Sequence, residues 1–559
     1  MKSKTELRSN FKKGTLAWAS RRAHWRAIGL TDEDMEKPKI AIVNSSSSLA
    51  LCFTHLDAIA LRLKEEIRAA GGLAFEIRTA APSDFITAVG RTGGYIQSTR
   101  DLIVNDIEVA VEGAQLDGMI CLASCDKTAP GQLMAAARLN IPTLIIACGY
   151  QPSGKYRGEH CDIEDVFINA GHYASGKITL EELTEMTETA IQGPGVCPGF
   201  GTANSMHCVS EALGMALPGS TPVMANSSNM WKTVRLAGER IVQMVWEDVK
   251  PRDILTPEAF ANAVMVMLAV SGSINTIKHL QAVAREAKCE VDVYGLFEQY
   301  ASRIPLLTAV RPNGQHTIEE FEAAGGTRAV MKQLEGFLHK EARTITGQTV
   351  GEILREAKVI DETIIYPVDR ALSTRPSIVL VRGSLAPVCG IVKLAVVDDR
   401  PLKFRGPAVI YESREEAIAG LKRGDVKAGE VLVLRGFGVK GNPGMGLLSS
   451  VIFALDGAGL TGEVAVVTDG HVSGLVNKTL LVCEISPEAA EGGPLALVER
   501  GDMISIDVKE RVVNLEVPED ELASRRARMG AWPTKDDSGW LSIYRRVVRP
   551  LSDGAVLVE

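Results

Sequence analysis

The sequence predicts an α/β chain in two parts, a helix-covered parallel-sheet domain over residues 1–374 and a β-barrel domain over residues 375–559. Three observations predict it. At 559 residues the chain exceeds what one hydrophobic core usually serves. Up to about Thr374, apolar runs (PKIAIVN, DGMICLAS, IPTLIIAC) alternate with helical ones (HLDAIALRLKEEIRAAGG, PEAFANAVMVMLAV), the pattern of parallel strands joined by helices. From Arg375 the texture changes to short β-rich runs punctuated by glycine and charged turns.

The start, MKSKTELRSNFKKGTLAWASRRAHWRAIGL, lacks the apolar centre of a secretory signal. Its basic residues would also suit an organelle transit peptide, but it reads better as a basic amphipathic helix. Further on, DGMICLASCDKTAPGQLMAAARLNIPTLII reads as a strand, a polar turn, an amphipathic helix opened near Pro130 and a second strand. This β-α-β unit puts Cys125, Asp126 and Lys127 at the carboxyl end of its first strand, where open α/β sheets place their ligands. Taken singly, Asp126 would serve as a helix cap and Lys127 as a solvated charge. In the second part, SIVLVRGS, GIVKLAVV, GPAVIYES, GEVLVLRG, EVAVVTDG, MISIDVKE and RVVNLEV supply the barrel strands.

Bulk properties exclude several function classes. A net charge of −8 gives no case for nucleic acid or an anionic membrane surface, and no apolar stretch reaches membrane-spanning length. Ten cysteines without an export signal suit a reducing, cytoplasmic compartment. The loops GFGTAN and GFGVKGNPGMG lack the spacing of a nucleotide-binding fingerprint. Lys440 or Lys478 could meet the phosphate of a 6-phospho acid, although surface lysines are common.

Three cysteines stand in glycine- or serine-rich loops far apart in sequence: Cys52 in NSSSSLALCFTHL, Cys125 in LASCDKTAPG and Cys197 in GPGVCPGFGTANSM. Together they look like ligands for one iron–sulfur cluster, leaving an iron open as a Lewis acid. There is no C-x-x-C run, and a buried free cysteine is usually a small apolar residue. Cys121, Cys148 and Cys483, in apolar runs, belong to that commoner class.

With these blocks in register, the chain resembles the dihydroxy-acid and sugar-acid dehydratase family, which includes 6-phosphogluconate dehydratase. The resemblance spans nearly the whole length and includes TRDLIVNDIE, QLMAAARLNIPT, ASGKITLEEL, GTANSM, VTDGHVSG and ISPEAAEGGPLALVERGD, in family order. It implies an iron–sulfur cluster, [2Fe–2S] or [4Fe–4S], on Cys52 (followed by His55), Cys125 and Cys197. It implies Mg2+ on Asp84, Asp126 and a carbamylated Lys127, and Ser473 as the catalytic base. A carbamate turns an ammonium donor into the oxygen ligand that magnesium prefers. Serine is a poor base unless its alkoxide is stabilised, so His471 is a second candidate. The implied reaction dehydrates a 2,3-dihydroxy carboxylic acid to a 2-keto-3-deoxy acid, in a homodimer or homotetramer with its site between the two domains.

Three departures bear on substrate. Leu447 stands where the family places a magnesium-binding glutamate, Gly474 to Lys478 read GLVNK rather than GGTRG, and Ser271 to Asn275 read SGSIN rather than GGSTN. The last two point toward an aldonic or other sugar acid, with the branched-chain dihydroxy acid as the alternative. Leu447 also keeps open an inactive, cluster-bearing sensor or structural subunit.

Overall fold

The computed structural model describes residues 7–396, 400–472, 479–533 and 538–557. Its first sheet is parallel throughout: β1 (Lys39–Asn44), β2 (Leu73–Arg78), β3 (Gly118–Ala123) and β4 (Thr143–Ala147), in the order β2-β1-β3-β4. Every residue of β1, β3 and β4 is buried, which is why these strands read as unbroken apolar runs, whereas the edge strand β2 is mostly half-buried. The crossover helix Leu56–Ala69 buries Leu56, Ile59, Ala60, Leu63 and Ile67, one stripe at helical spacing. The helix Thr128–Leu139 is buried on nearly all sides because the helices Gly94–Gly113 and Asn275–Ala287 flank it. It ends at Asn140, in the left-handed conformation that closes helices. The basic helix expected near the start spans Leu16–Ala27 and buries none of its residues.

A two-stranded hairpin, β5 (Gly154–Tyr156) and β6 (Glu159–Cys161), precedes the second large sheet. That sheet has eight strands: β7 (Ile378–Val381), β8 (Cys389–Lys393), β9 (Lys403–Tyr411), β10 (Val431–Leu434), β11 (Ala465–Thr468), β12 (Leu481–Ser486), β13 (Met503–Asp507) and β14 (Val512–Leu515). Their order is β14-β13-β9-β10-β11-β12-β8-β7. Arg382, just after β7, bridges Val512 of β14, so the sheet curls until its edges nearly meet, as the expected barrel requires. One feature differs from the punctuated-strand reading. Strands β9 to β12 are parallel, and helices Arg414–Arg423 and Ser449–Gly457 provide the crossovers from β9 to β10 and from β10 to β11.

Side chains alternate across the barrel wall with the strand period of two. Val379, Val381, Val431, Val433 and Val467 fill the interior, while Ile378, Leu380, Leu432, Leu434 and Val466 join the large core shared with the helical layers. One polar contact pins the halves together. Lys393, at the end of β8, donates to the carbonyls of Ser271 (2.5 Å) and Gly272 from inside the core. Burial holds its pKa down to about 7.

Because the unfolded chain binds this proton up to its ordinary pKa and the folded chain releases it near 7, Lys393 makes stability rise with pH between the two values. Comparing the wild type with Lys393→Met by chemical denaturation at pH 7 and 9 should show the wild type gaining, relative to the variant, up to about 1.4 kcal/mol per pH unit. A pH-independent difference would contradict the assignment.

Candidate active site

All four strands of the first sheet deliver their following loops to one edge. β1 leads to the turn Leu51–Phe53 carrying Cys52, β2 to Asp84, β3 to Cys125, Asp126 and Lys127, and β4 to the Cys148–Gln151 segment that pairs with the Cys197 loop. The parallel part of the barrel does the same from the other side. β9 leads to Arg414 and Glu415, β10 to Leu447 and β11 to His471. These two sets of carboxyl-terminal loops face each other across one cavity of about 630 Å³, lined by Cys52, Asp84, Cys125, Asp126, Cys197, Leu447 and His471.

Local hydrogen bonds fix the cysteine loops. Thr128 Oγ1 accepts from Ser124 N (2.8 Å) and donates to Cys125 O (2.7 Å), closing the turn that presents Cys125. Ser124 Oγ donates to Cys52 O at 2.5 Å, tying the first two cysteine loops together. The Asn204 amide donates to Cys197 O (2.9 Å) and Gly199 O (2.8 Å), holding the third. Asp126 caps no helix, and Lys127 is wholly buried rather than solvated, with Nζ 2.9 Å from Asp126 Oδ1. His55, expected beside Cys52, is turned away to donate to Cys148 O at 2.7 Å.

The electrostatics describe a well of acids. A hydrogen bond donated to Cys52, burial and the neighbouring Cys52 sulfur push the Cys125 thiol well up, and burial, Cys125 and Glu164 do the same to Cys197. Burial and then Asp126 raise the Asp84 carboxyl well above its usual range. Burial also works against an ionised Asp126, but Lys127 and Asp84 outweigh it and lower its pKa. Asp84 Oδ1 is buried without a hydrogen-bond partner. Three thiols and two carboxyls gathered at one cavity suit cations, and sulfur beside oxygen donors fits iron on one side and magnesium on the other.

Across the cavity, Asp469 anchors the barrel's loops by accepting from the backbone of Gly436 (3.1 Å), Phe437 (2.9 Å) and Ala489 (2.9 Å). Leu447 sits in the cavity wall, its N–H donating to Thr92 O at 3.0 Å. His471 is buried with neither ring nitrogen hydrogen-bonded, and burial with Lys278 and Lys127 keeps its pKa well below the usual value. Lys440 is paired with Glu491 at 2.7 Å. Ser473 and Lys478 lie outside the described residues.

Sequence reasoning missed Glu164, a buried cavity acid beside the Cys197 loop, and the pair Lys278–Glu484 behind Asn275. A lone Glu or Lys in an amphipathic run gives no signal of burial. A second cluster, His160, Asp162 and Asp165, has its ligand atoms within 4.8 Å of one another. Its aspartates are accounted for by the capping box of the helix Ile163–Ala174.

Two family models cover this architecture: the dihydroxy-acid/6-phosphogluconate dehydratase N-terminal model matches residues 37–353, and its C-terminal counterpart residues 363–555. The chain belongs to this dehydratase family. Over 554 residues it is 41% identical to a dihydroxy-acid dehydratase of Caldicellulosiruptor saccharolyticus and 42% identical to that of Caldicellulosiruptor bescii, covering 99% of this chain and all of each relative. The corresponding Pyrococcus abyssi enzyme is 39% identical over 558 residues, with the same coverage. Membership makes the chain a hydro-lyase, and the clustered thiols and acids are consistent with the family's dependence on metal. Among the described residues no helix is long and apolar enough to cross a membrane.

The dehydratase's two halves meet backbone to backbone where Gly444 (φ 82°) abuts Gly94 O. A methyl group there would overlap that oxygen and occupy a left-handed conformation costing about 1–2 kcal/mol. Gly444→Ala should therefore lower the midpoint of chemical denaturation and reduce turnover. An unchanged midpoint would show that the loops are not held this tightly.

Proposed function

We propose that this chain dehydrates a 2,3-dihydroxy carboxylic acid with a branched apolar chain to the corresponding 2-keto acid. The observation that carries the substrate reading is the cavity wall, most of which is apolar, with Leu51, Phe85, Ile86, Val89, Phe167 and Phe453. A sugar acid would need a hydrogen-bond partner for each buried hydroxyl, and a largely apolar wall supplies few. The names of the curated relatives support the same choice. Preference therefore moves from the sugar acid, favoured by the departures at Ser271–Asn275 and Gly474–Lys478, to the branched-chain alternative.

In this reading Cys52, Cys125 and Cys197 hold an iron–sulfur cluster, and Asp84, Asp126 and a carbamylated Lys127 hold magnesium. When bound, the two would supply an open Lewis-acidic iron for the leaving 3-hydroxyl and a cation for the carboxylate and 2-hydroxyl. Ser473 Oγ takes the C2 proton. His471 is the weaker candidate for that step, because burial beside two lysines disfavours its protonated form. The apolar wall holds the branched end and excludes water from it.

Two experiments test the proposal. After anaerobic iron–sulfide reconstitution, Cys52→Ser, Cys125→Ser and Cys197→Ser should each lose most of the visible cluster absorbance, while Cys483→Ser keeps it. Retention by all three would remove the cluster assignment. Turnover of 2,3-dihydroxyisovalerate by the reconstituted protein with magnesium should exceed that of aldonic acids and 6-phosphogluconate by at least about tenfold, the scale of one unpaired buried hydroxyl. The reverse preference would restore the sugar-acid reading, and an intact cluster without turnover would favour the sensor.

A further inference from the structure

Next to the acids of the cavity lies a charged pair that the proposed chemistry does not use. Lys278 and Glu484, 206 residues apart in the chain, meet at 2.5 Å with both side chains wholly inaccessible to solvent. Lys278 rises from the helix Asn275–Ala287 of the first half, and Glu484 comes from β12 of the barrel. Such a pair is seldom a net gain in stability, because desolvating both charges offsets their attraction. Its placement calls for another account.

The backbone is distorted to deliver Glu484. It adopts φ 54°, left-handed for a side-chain-bearing residue inside a strand, and the pairing of β12 with β8 shifts register between Cys483 and Ser486. Bulges of this kind re-aim side chains, and backbone strain of this kind collects at functional sites. The carboxylate is aimed at Lys278, and its second oxygen, Oε2, makes no hydrogen bond.

Lys278 in turn donates to Asn275 Oδ1 at 2.5 Å. An ammonium has donors and no acceptor, so it can face only the oxygen of that amide. The NH2 end is thereby directed the other way, where Nδ2 donates to Thr202 Oγ1 at 2.9 Å. Asn275 and Thr202 both line the cavity. Thr202 takes one of the two amide hydrogens and leaves the second for an oxygen in the cavity.

We propose that the Lys278–Glu484 pair is a positioning device that locks the Asn275 amide with its N–H toward the cavity, and that this N–H binds an oxygen of the dihydroxy acid. Asn275 is then a substrate-binding residue, Lys278 sets its orientation and Glu484 holds Lys278. Without the ammonium the amide is free to rotate and present its carbonyl, which repels a carboxylate. This inference rests on the dehydratase reading above.

The test uses the reconstituted enzyme with magnesium and 2,3-dihydroxyisovalerate, comparing wild type, Lys278→Met, Asn275→Ala, the double variant of these two, and Lys278→Met/Glu484→Met. Lys278→Met and Asn275→Ala should each raise KM about tenfold with a smaller change in kcat, and combining them should add little, because both remove one hydrogen bond. Lys278→Met alone leaves a buried carboxylate unpaired and should lower the thermal midpoint, whereas Lys278→Met/Glu484→Met replaces both charges with apolar groups and should recover it. The deciding outcome is KM in that apolar double variant. A KM still raised, with stability regained, supports the positioning role. A KM restored together with stability shows that the pair is structural and overturns it, as does additivity of Lys278→Met and Asn275→Ala. Absence of wild-type turnover with every dihydroxy acid would overturn the reaction reading and this inference together, a result distinct from a turning-over wild type with unaltered variants.

Discussion

Burying three thiols and two carboxyls against one another is unfavourable while no cation neutralises them. Burial, joined by Asp126, raises the proton affinity of Asp84; burial, joined by Cys125, raises that of Cys197; and a hydrogen bond with Cys52, joined by burial, raises that of Cys125. The rest of the molecule can be understood as the scaffold that enforces this encounter. A four-stranded parallel sheet gathers four loops at one edge, because parallel strands all end on the same side. The barrel contributes a second parallel set, and its loops close over the first. Neither half supplies the whole lining, so the large shared core and the buried contacts of Lys393 and Lys278 are what keep the cavity assembled.

Much of this was legible in the sequence. Continuous apolar runs marked β1, β3 and β4 because strands covered on both faces have no polar side to show. The CDK triplet at the end of β3 stood out because a thiol, an acid and an amine followed such a run without a break. Other features left little trace. The parallel centre of the barrel was hidden because its crossover helix Arg414–Arg423 buries only Ala417, Gly420 and Leu421, and its charged face reads as a turn. Glu484 was invisible for a different reason: a bulge inside an apolar strand re-aims a side chain that simple alternation would place elsewhere. The apolar character of the cavity wall depends on residues from loops after β1 and β2 and from two helices, which no local window brings together.

Leu447 places an apolar side chain where the resemblance implies a magnesium-binding glutamate. A leucine cannot coordinate a cation, so the proposed magnesium site loses an oxygen donor on the barrel side and relies on Asp84, Asp126 and Lys127 from the sheet side. The loop is anchored by Asp469, which gathers three backbone donors at its base, and by Thr92, whose carbonyl accepts from the Leu447 N–H. The barrel's polar lining among the described residues is Arg414, Glu415, Ser449, Ser450 and His471, whose buried ring nitrogens make no hydrogen bond.

The claim that the loops of the parallel sheet gather one metal-holding site in the cavity is tested most directly by anomalous diffraction at the iron edge from anaerobically reconstituted crystals. The account predicts one iron centre within bonding distance of Cys52, Cys125 and Cys197 Sγ, with separate non-anomalous density beside Asp84 and Asp126. Iron at the His160, Asp162 and Asp165 cluster instead, or bound by fewer than two of the three thiols, would contradict it.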